Sequence, residues 1–210
     1  MTHSLTELAD ECGTDKGTHQ GFMPYYKKYL PGPHQAVVLC EFGVKTGASL
    51  LMWSKYFWHV NTRIMGLDVS YDQYTPIDDA RVEVYKADCT NTDAANILTA
   101  MRPIDIIVDD ASHEGPDVAA AWNNWWPNLQ PGGLYVVEDT HCSYNTDHYR
   151  TAGVPGTQGT SMEFLKSLAD EVNWGYHGYN RWTPQAEDVQ FVHFFPGITF
   201  IGKKHNGGKI

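Results

Sequence analysis

The sequence has few cysteines and few cations. Its cysteines, Cys12, Cys40, Cys89 and Cys142, never form a Cys-x-x-Cys pair, so the patterns typical of zinc ribbons and dithiol redox sites are missing. Fifteen lysines and arginines stand against 25 aspartates and glutamates, and the formal net charge is -10. Because nucleic-acid binding needs clustered cations on phosphates, we expect no nucleic-acid partner.

Long hydrophobic runs are also missing. No stretch approaches the roughly 18 apolar residues of a membrane span, and the first residues, MTHSLTELADECGTDKG, are polar and acidic, unlike a signal peptide. We therefore expect a cytoplasmic protein with no membrane partner. The 210 residues, 42% of them hydrophobic, supply enough apolar material for one core, and we expect a single domain over residues 1–210. The many aromatic residues could line a small-molecule pocket or simply pack the core.

Short apolar runs alternate with helical patterns along the chain. The runs of strand length are AVVLCEFGV (36–44), TRIMGLDVS (62–70), ARVEVYKADCT (80–90), IDIIVDDASH (104–113), GGLYVVEDT (132–140), VQFVHFFPG (189–197) and ITFIGKK (198–204). Such alternation is typical of a parallel sheet covered on both faces, and the Pro-Gly turn between the last two runs predicts an antiparallel hairpin. We expect an α/β fold with a mostly parallel seven-stranded sheet, helices on both faces and a C-terminal antiparallel hairpin.

Two further parts of the pattern give specific expectations. In DAANILTAM, the helical spacing places Ile97, Leu98 and Met101 on one buried face. The stretches 141–159 and 177–188 lack such spacing and are expected to be irregular.

A glycine loop follows the first predicted strand. It has the spacing E-x-G-x-x-x-G-x-S and runs from Glu41 to Ser49. Gly43 and Gly47 allow the backbone to turn tightly and to approach a ligand ahead of a helix N-terminus. In an open parallel sheet, ligands bind at this end of the strands.

Two acidic residues end the next strands. Asp68 closes the second run, where a carboxylate can accept hydrogen bonds from the ribose hydroxyls of a nucleoside, and Asp88 closes the third. Each feature alone is typical of an ordinary strand-to-helix turn with an aspartate cap. Together with the glycine loop, the two aspartates predict a site for a nucleoside cofactor.

Carboxylates and imidazoles follow the fourth and fifth runs. The residues concerned are Asp109, Asp110 and His113 after one strand, and Glu138, Asp139 and His141 after the other. Carboxylates this close destabilise each other unless a cation lies among them, and oxygen ligands favour Mg²⁺, Ca²⁺ or Mn²⁺. Such an ion could hold two substrate oxygens while His113 removes a proton. Solvated strand ends and a structural histidine are the alternatives, and His141 could line the site, bind the metal or cap a turn.

These motifs resemble those of the metal-dependent sugar O-methyltransferases of macrolide biosynthesis, the mycinamicin and macrocin type. The shared motifs are GTDKG at Gly13 to Gly17 with the pair Tyr25 and Tyr26, the E-x-G-x-x-x-G-x-S-L loop, the DD-x-SH strand end, and PGGLYVVED. Ala111 stands where the family usually has Gly in DD-G-SH. The resemblance implies a Rossmann-like class I methyltransferase fold that uses S-adenosyl-L-methionine and Mg²⁺.

The resemblance also implies residue roles. Asp110, Glu138 and Asp139 would bind Mg²⁺, and His113 would be the catalytic base that deprotonates a sugar hydroxyl. Asp88 would lie beside the adenine, and Lys16 and Tyr26 near the methionine end of the cofactor. The full set of expected cofactor-binding residues is Lys16, Tyr26, Glu41, Gly43, Gly47, Ser49, Asp68, Asp88 and Asp109.

The acceptor is expected to be a small molecule, namely a sugar hydroxyl of a glycosylated, antibiotic-type natural product. Residues 1–35 are expected to form an N-terminal helical cap, and the glycine-rich residues 141–160 a substrate lid in which His141, Tyr144 and Tyr149 contact the acceptor. Three alternatives stay open: a phenol or catechol acceptor, a non-catalytic module that binds the cofactor, and hydroxylation or hydrolysis on the same fold. Whether the chain forms a homo-oligomer stays open, because the resemblance does not carry over the oligomeric state.

Overall fold

A computed structural model describes residues 4–100, 103–173 and 188–205. Within them the chain forms two compact units, which divide between Asp88 and Cys89. The predictions for Met101 and for nearly all of the segment 177–188 concern residues outside the described ranges.

The first unit contains three helices and three parallel strands. The helices are α1 (Leu5–Cys12), α2 (Met23–Tyr29) and α3 (Ala48–Tyr56), and the strands are β1 (Val38–Phe42), β2 (Arg63–Asp68) and β3 (Val82–Lys86). The strand order is β3-β2-β1, with Phe42 of β1 paired to Leu67 of β2. Both residues are buried, as expected for parallel strands covered on both faces.

The second unit contains the remaining four strands. Its elements are α4 (Thr92–Thr99), β4 (Ile104–Asp109), α5 (Gly115–Trp125), β5 (Leu129–Val137), α6 (Ser161–Val172), β6 (Val189–Phe195) and β7 (Ile198–Lys203), with short 3-10 turns at Trp126–Asn128 and Thr140–Tyr144. β4 and β5 are parallel, and β7 pairs antiparallel with both β5 and β6. The β6–β7 pair turns at Gly197, with a φ of 75°, and confirms the predicted hairpin.

Tryptophans fill the core of the second unit. The rings of Trp122 and Trp126 stack with centroids 4.1 Å apart, and Trp125 donates its indole N–H to the carbonyl of Cys89. The buried amine of Lys203 donates to the carbonyls of Trp126 and Leu129. For these tryptophans, core packing rather than pocket lining is the observed role.

Helix α4 departs from the predicted pattern. Its buried stripe passes through Ala95 and Leu98, which are 0% and 7% exposed, whereas Ile97 is 65% exposed. The helix is capped by the Asn91 side chain, which accepts a hydrogen bond from the amide of Asp93. The prediction that Ile97 lies on the buried face is therefore wrong. None of the helices in the described ranges has the length and apolar character needed to cross a membrane.

Candidate cofactor and metal sites

The glycine loop of the first unit depends on left-handed backbone. Gly43 and Gly47 have φ angles of 85° and 88°, and Lys45 between them has 50°. The amide of Gly43 donates to the carbonyl of Leu67 at 2.9 Å, which joins the loop to β2. A Cβ atom on Gly47 would lie 2.9 Å from the ring of Tyr74. Only glycine fits this position without strain and a steric clash.

Asp68 holds the same loop in place. Its Oδ2 accepts hydrogen bonds from the amides of Val44 at 2.8 Å and Lys45 at 3.0 Å, and its Oδ1 accepts from the amide of Ser70 at 2.9 Å. A carboxylate oxygen has two acceptor sites, so Oδ1 keeps one for a further donor such as a ribose hydroxyl. The aspartate that the sequence assigns to the ribose therefore also shapes the glycine loop.

Glu41, the first residue of the glycine-loop motif, is part of a buried ion pair. The Nζ of Lys16 lies 3.2 Å from Oε1 of Glu41, and the indole N–H of Trp53 donates to Oε2 of Glu41 at 3.0 Å. Tyr26 packs edge-on against Trp53, with ring centroids 5.1 Å apart. Lys16, Tyr26 and Glu41 are at most 1% exposed. The cluster fixes the end of β1, and direct contact of these residues with the cofactor stays a prediction.

The other expected cofactor residues of this unit lie near the strand and helix ends. Ser49 is in the first turn of α3 and is 7% exposed, and Asp88 follows β3 with an exposed side chain. A cleft of about 610 Å³ borders Gly47, α3 and the loop at 75–79. Among the expected cofactor residues that the structure describes, Gly47 alone lines this cleft, so it is not the predicted cofactor site.

Three of the predicted acidic and imidazole side chains of the second unit come together. One ligand atom from each of Asp110, His113 and Asp139 lies within 4.8 Å of the others. The Nε2 of His113 is 3.6 Å from Oδ2 of Asp139 and 4.0 Å from Oδ1 of Asp110. The two strand ends are joined by the amide of Glu138, which donates to the carbonyl of Asp109 at 3.0 Å. The group offers a divalent cation two carboxylates and an imidazole.

Two neighbouring acids are more deeply buried. Glu138 is 1% exposed and is not a member of that three-residue group. Asp109 is 3% exposed and accepts a hydrogen bond from the hydroxyl of Tyr135 at 3.2 Å. Burial raises the pKa of Asp109 to about 7, against the opposing effect of the Tyr135 hydrogen bond. The roles of Glu138 in metal binding and of Asp109 in cofactor binding stay predictions.

Backbone strain coincides with both candidate sites. Within the described residues, the non-glycine residues with positive φ are Lys45 at 50°, His113 at 61° and Asp139 at 51°. This conformation is uncommon for residues other than glycine, although Asn, Asp and His adopt it more often than the rest, and strained backbone clusters at functional sites. The sequence carries no signal for it at Lys45, because lysine does not favour left-handed backbone.

Of the three residues expected to contact the acceptor, Tyr149 packs against His113, whereas His141 and Tyr144 are more exposed. The ring of Tyr149 meets the imidazole edge-on, with centroids 6.0 Å apart. A hydrogen bond to Cys142, together with burial, raises the pKa of Tyr149 to about 12. His141 is mostly exposed with its Nδ1 3.9 Å from Oδ1 of Asp139, and Tyr144 is 43% exposed. Tyr149 is therefore neutral at physiological pH, and its ring packs against one side of the His113 imidazole.

The chain is similar in sequence and in structure to known methyltransferases. Residues 40–140 match a family model described as a methyltransferase domain. A solved structure of the MycE methyltransferase from the mycinamycin biosynthetic pathway, in complex with Mg, SAH and mycinamycin VI, superposes with a TM-score of 0.85 at 26% identity, over 100% of this chain and 56% of that one. This chain has the class I methyltransferase fold. The predicted fold class is confirmed.

Curated relatives of this chain are named O-methyltransferases of natural products. The 8-demethyl-8-α-L-rhamnosyl tetracenomycin-C 2'-O-methyltransferase of Streptomyces olivaceus is 33% identical over 97% of this chain and 56% of its own length. The mycinamicin VI 2''-O-methyltransferase of Micromonospora griseorubida is 31% identical over 96% of this chain and 53% of its own length. The predicted resemblance to the mycinamicin type is confirmed, and the chain spans about half the length of these relatives.

Proposed function

We propose that this chain transfers the methyl group of S-adenosyl-L-methionine to a hydroxyl oxygen of a sugar on a glycosylated natural product, with Mg²⁺ as the metal. The observation that carries the proposal is the grouping of Asp110, His113 and Asp139 within 4.8 Å on a methyltransferase domain. A module that only bound the cofactor would have no use for this group, whose His113 and Asp139 also hold strained backbone.

The donor set fits a hard divalent cation. Oxygen atoms dominate the group, as Mg²⁺ prefers, and ligand atoms on opposite sides of Mg²⁺ lie about 4.2 Å apart. The observed limit of 4.8 Å therefore needs only a small contraction. In the proposal, Asp110 and Asp139 hold the ion, and Glu138 is the third carboxylate. The bound ion supplies polarisation of the acceptor hydroxyl, and the cofactor supplies an electrophilic methyl group.

The chain's own residues would position the reactants and move the proton. Gly43, Gly47 and Asp68 present the loop that holds the nucleoside, and Asp68 Oδ1 accepts a ribose hydroxyl. The Nε2 of His113 accepts the proton of the acceptor hydroxyl, and nearby Asp139, 3.6 Å away, stabilises the imidazolium that results. Tyr149 keeps water from one side of the imidazole.

The acceptor class follows from the relatives. One is named as a 2'-O-methyltransferase of a rhamnosyl tetracenomycin and another as a 2''-O-methyltransferase of mycinamicin VI. In the proposal, residues 141–160 cover the acceptor, and His141, Tyr144 and Tyr149 contact it. A cytoplasmic location, a single domain over 1–210 with a helical cap at 1–35, and a homo-oligomer complete the proposal, with no nucleic-acid or membrane partner.

Titration calorimetry followed by an acceptor screen tests the proposal. The protein is titrated with S-adenosyl-L-methionine and with Mg²⁺, and methyl transfer is then assayed on deoxysugar glycosides and, in parallel, on catechols. We expect cofactor binding, saturable Mg²⁺ binding and Mg²⁺-dependent transfer to the glycosides. Absence of cofactor binding would refute the methyltransferase assignment, and transfer to catechols alone would refute the sugar acceptor.

A further inference from the structure

Glu114, the residue after His113, has both carboxylate oxygens bound to one dipeptide of the lid. Its Oε1 accepts from the amide of Arg150 at 3.0 Å, and its Oε2 accepts from the amide of Thr151 at 3.0 Å and from the Thr151 hydroxyl at 2.7 Å. The Glu114 side chain is only 10% exposed. Charge-assisted hydrogen bonds of this kind are stronger than neutral ones. We call Glu114, Arg150 and Thr151 the clasp.

The first residue of α5, Gly115, also binds Thr151 of the clasp. The amide of Gly115 donates to the Thr151 hydroxyl oxygen at 3.1 Å, so this hydroxyl both donates and accepts. A Cβ atom on Gly115 would lie 2.0 Å from the carbonyl oxygen of Gly159, which shows how closely the far end of the lid packs here. Glu114 and Gly115 therefore bind the start of the segment 150–159, and Gly115 also packs closely against its end.

The carboxylate of Glu114 is bound mainly by backbone amides and only weakly by the Arg150 guanidinium. The guanidinium of Arg150 reaches Glu114 only through Nε at 3.4 Å, and the Arg150 side chain is 85% exposed. Exposed ion pairs contribute little. The amides of Arg150 and Thr151, in contrast, meet a buried carboxylate at hydrogen-bond distance.

The clasp also restricts the positions of the two residues that come just before Glu114 and Arg150 in the sequence. His113 comes directly before Glu114, and Tyr149 comes directly before Arg150. Their rings meet edge-on with centroids 6.0 Å apart. Fixing Glu114 to residues 150 and 151 therefore fixes Tyr149 against the imidazole of His113.

We propose that Glu114 is a positioning residue that orients the His113 imidazole toward the acceptor by holding Tyr149 against it. The proposal rests on the proposed function, in which His113 is the base. A merely structural role for Glu114 would change stability but leave the His113–Tyr149 geometry unaffected.

Hydrogen exchange and NMR test the clasp without any activity measurement. In Glu114→Gln, one carboxylate oxygen becomes an NH₂ donor, so at least one of the residue 150 and 151 amides loses its acceptor and should exchange about 10-fold faster or more. The Glu114→Gln change should also move the ring-proton shift of His113 toward its value in Tyr149→Leu, because the ring current of Tyr149 is lost. Arg150→Ala should keep slow exchange.

Matched variants separate the clasp from a general loss of charge. Glu7→Gln removes a carboxylate that accepts the amide of Ser4 at the start of α1 and should change neither readout. Thr151→Val should speed up hydrogen exchange of the residue 150 and 151 amides. Thr151→Ser, which keeps the hydroxyl, should leave this exchange slow.

Kinetics connects the clasp to the reaction. For Glu114→Gln we expect kcat to fall about 10-fold or more, with cofactor affinity unchanged, because apart from Asp109 the expected cofactor residues lie in the first unit. Unchanged exchange in Glu114→Gln would overturn the clasp. Faster exchange with an unmoved His113 signal or an unchanged kcat would overturn the positioning role. A wild-type protein without methyl transfer would overturn the proposed function instead, and the exchange and NMR results would still decide the clasp and the ring geometry.

Discussion

The Nε2 of His113 lies 3.6 Å from Oδ2 of Asp139, and both residues have left-handed backbone, with φ angles of 61° and 51°. One follows β4 and the other follows β5, so the parallel pairing of these strands brings the two side chains together. The distance suits an imidazole that exchanges a proton beside a carboxylate, and it also suits two ligands of one ion. The first two predictions separate these roles.

Removal of the imidazole should affect turnover and not metal binding. In His113→Ala, kcat should fall about 100-fold or more, the usual scale for a lost general base, while the Kd for Mg²⁺ is unchanged. Steady-state kinetics and titration calorimetry measure the two quantities, and His193→Ala on β6 is the control. Weaker Mg²⁺ binding in His113→Ala would make His113 a ligand, and unchanged turnover would exclude it as the base.

Neutralising Asp139 should abolish the metal site. In Asp139→Asn, saturable Mg²⁺ binding should be lost, because one of the clustered carboxylates disappears, while S-adenosyl-L-methionine still binds. Calorimetry measures both. Asp117→Asn is the control, since Asp117 is a nearby carboxylate engaged by the hydroxyl of Ser112 at 2.7 Å. Retained Mg²⁺ affinity in Asp139→Asn would place the metal elsewhere.

Gly47→Ala should damage the cofactor loop. The left-handed conformation costs an alanine about 1–2 kcal/mol, and the added Cβ would also press on Tyr74 at 2.9 Å. We expect lower stability in urea unfolding and weaker cofactor binding. In Gly21→Ala the backbone conformation is similar, with a φ of 71° and nothing within 4 Å of the new Cβ, so only the stability loss should appear. Equal cofactor affinity in the two variants would contradict the role of Gly47.

Lys16→Met should destabilise the first unit strongly. It removes one partner from a buried ion pair, which typically costs about 3–5 kcal/mol, and Lys16→Met/Glu41→Gln should recover part of the loss. Lys55→Met breaks an ion pair with Glu11 that is 41% and 49% exposed, and should cost less than about 1 kcal/mol. Urea unfolding compares the variants. A Lys16→Met loss as small as that of Lys55→Met would show that the buried pair contributes little.

Asp79 should make the stability of the first unit depend on pH. Hydrogen bonds from Arg81 hold the pKa of Asp79 below its ordinary value of 3.8. A carboxyl with a depressed folded pKa stabilises above its unfolded pKa and loses that contribution as the pH falls through the folded pKa. Asp79→Asn should therefore cost about 1–3 kcal/mol at pH 7, and the difference from wild type should narrow below pH 3.8.

Urea unfolding across this pH range measures the effect of Asp79→Asn. The adjacent, exposed Asp78 provides the control, and Asp78→Asn should match wild type throughout. A cost for Asp79→Asn that persisted undiminished at low pH would assign the stabilisation to something other than the carboxylate charge.

Local patterns in the sequence were enough to predict the strands and the residues at their ends. Asp68 and Asp109 each close a strand as expected, because strand length and apolar runs are read over a few neighbouring residues. The prediction for Ile97 failed because a short helix can turn either of two adjacent apolar residues inward.

Contacts between distant parts of the chain were not predictable. The carboxylate of Asp68 binds an amide 24 residues away, and that of Glu114 binds the amide of Thr151, 37 residues away. No spacing rule connects such positions. The left-handed backbone of His113 was equally hidden, because histidine adopts this conformation only in a minority of positions and the surrounding structure selects it.

Within the described residues, positive φ angles outside glycine occur at Lys45, His113 and Asp139, and the last two also carry the proposed chemistry. Glycine would relax the backbone at each of these positions. Directed evolution for heat resistance alone would therefore favour glycine there, and at His113 and Asp139 it would remove the proposed base and a proposed metal ligand. A thermostable version of this protein is better sought by keeping His113 and Asp139 unchanged and varying other positions.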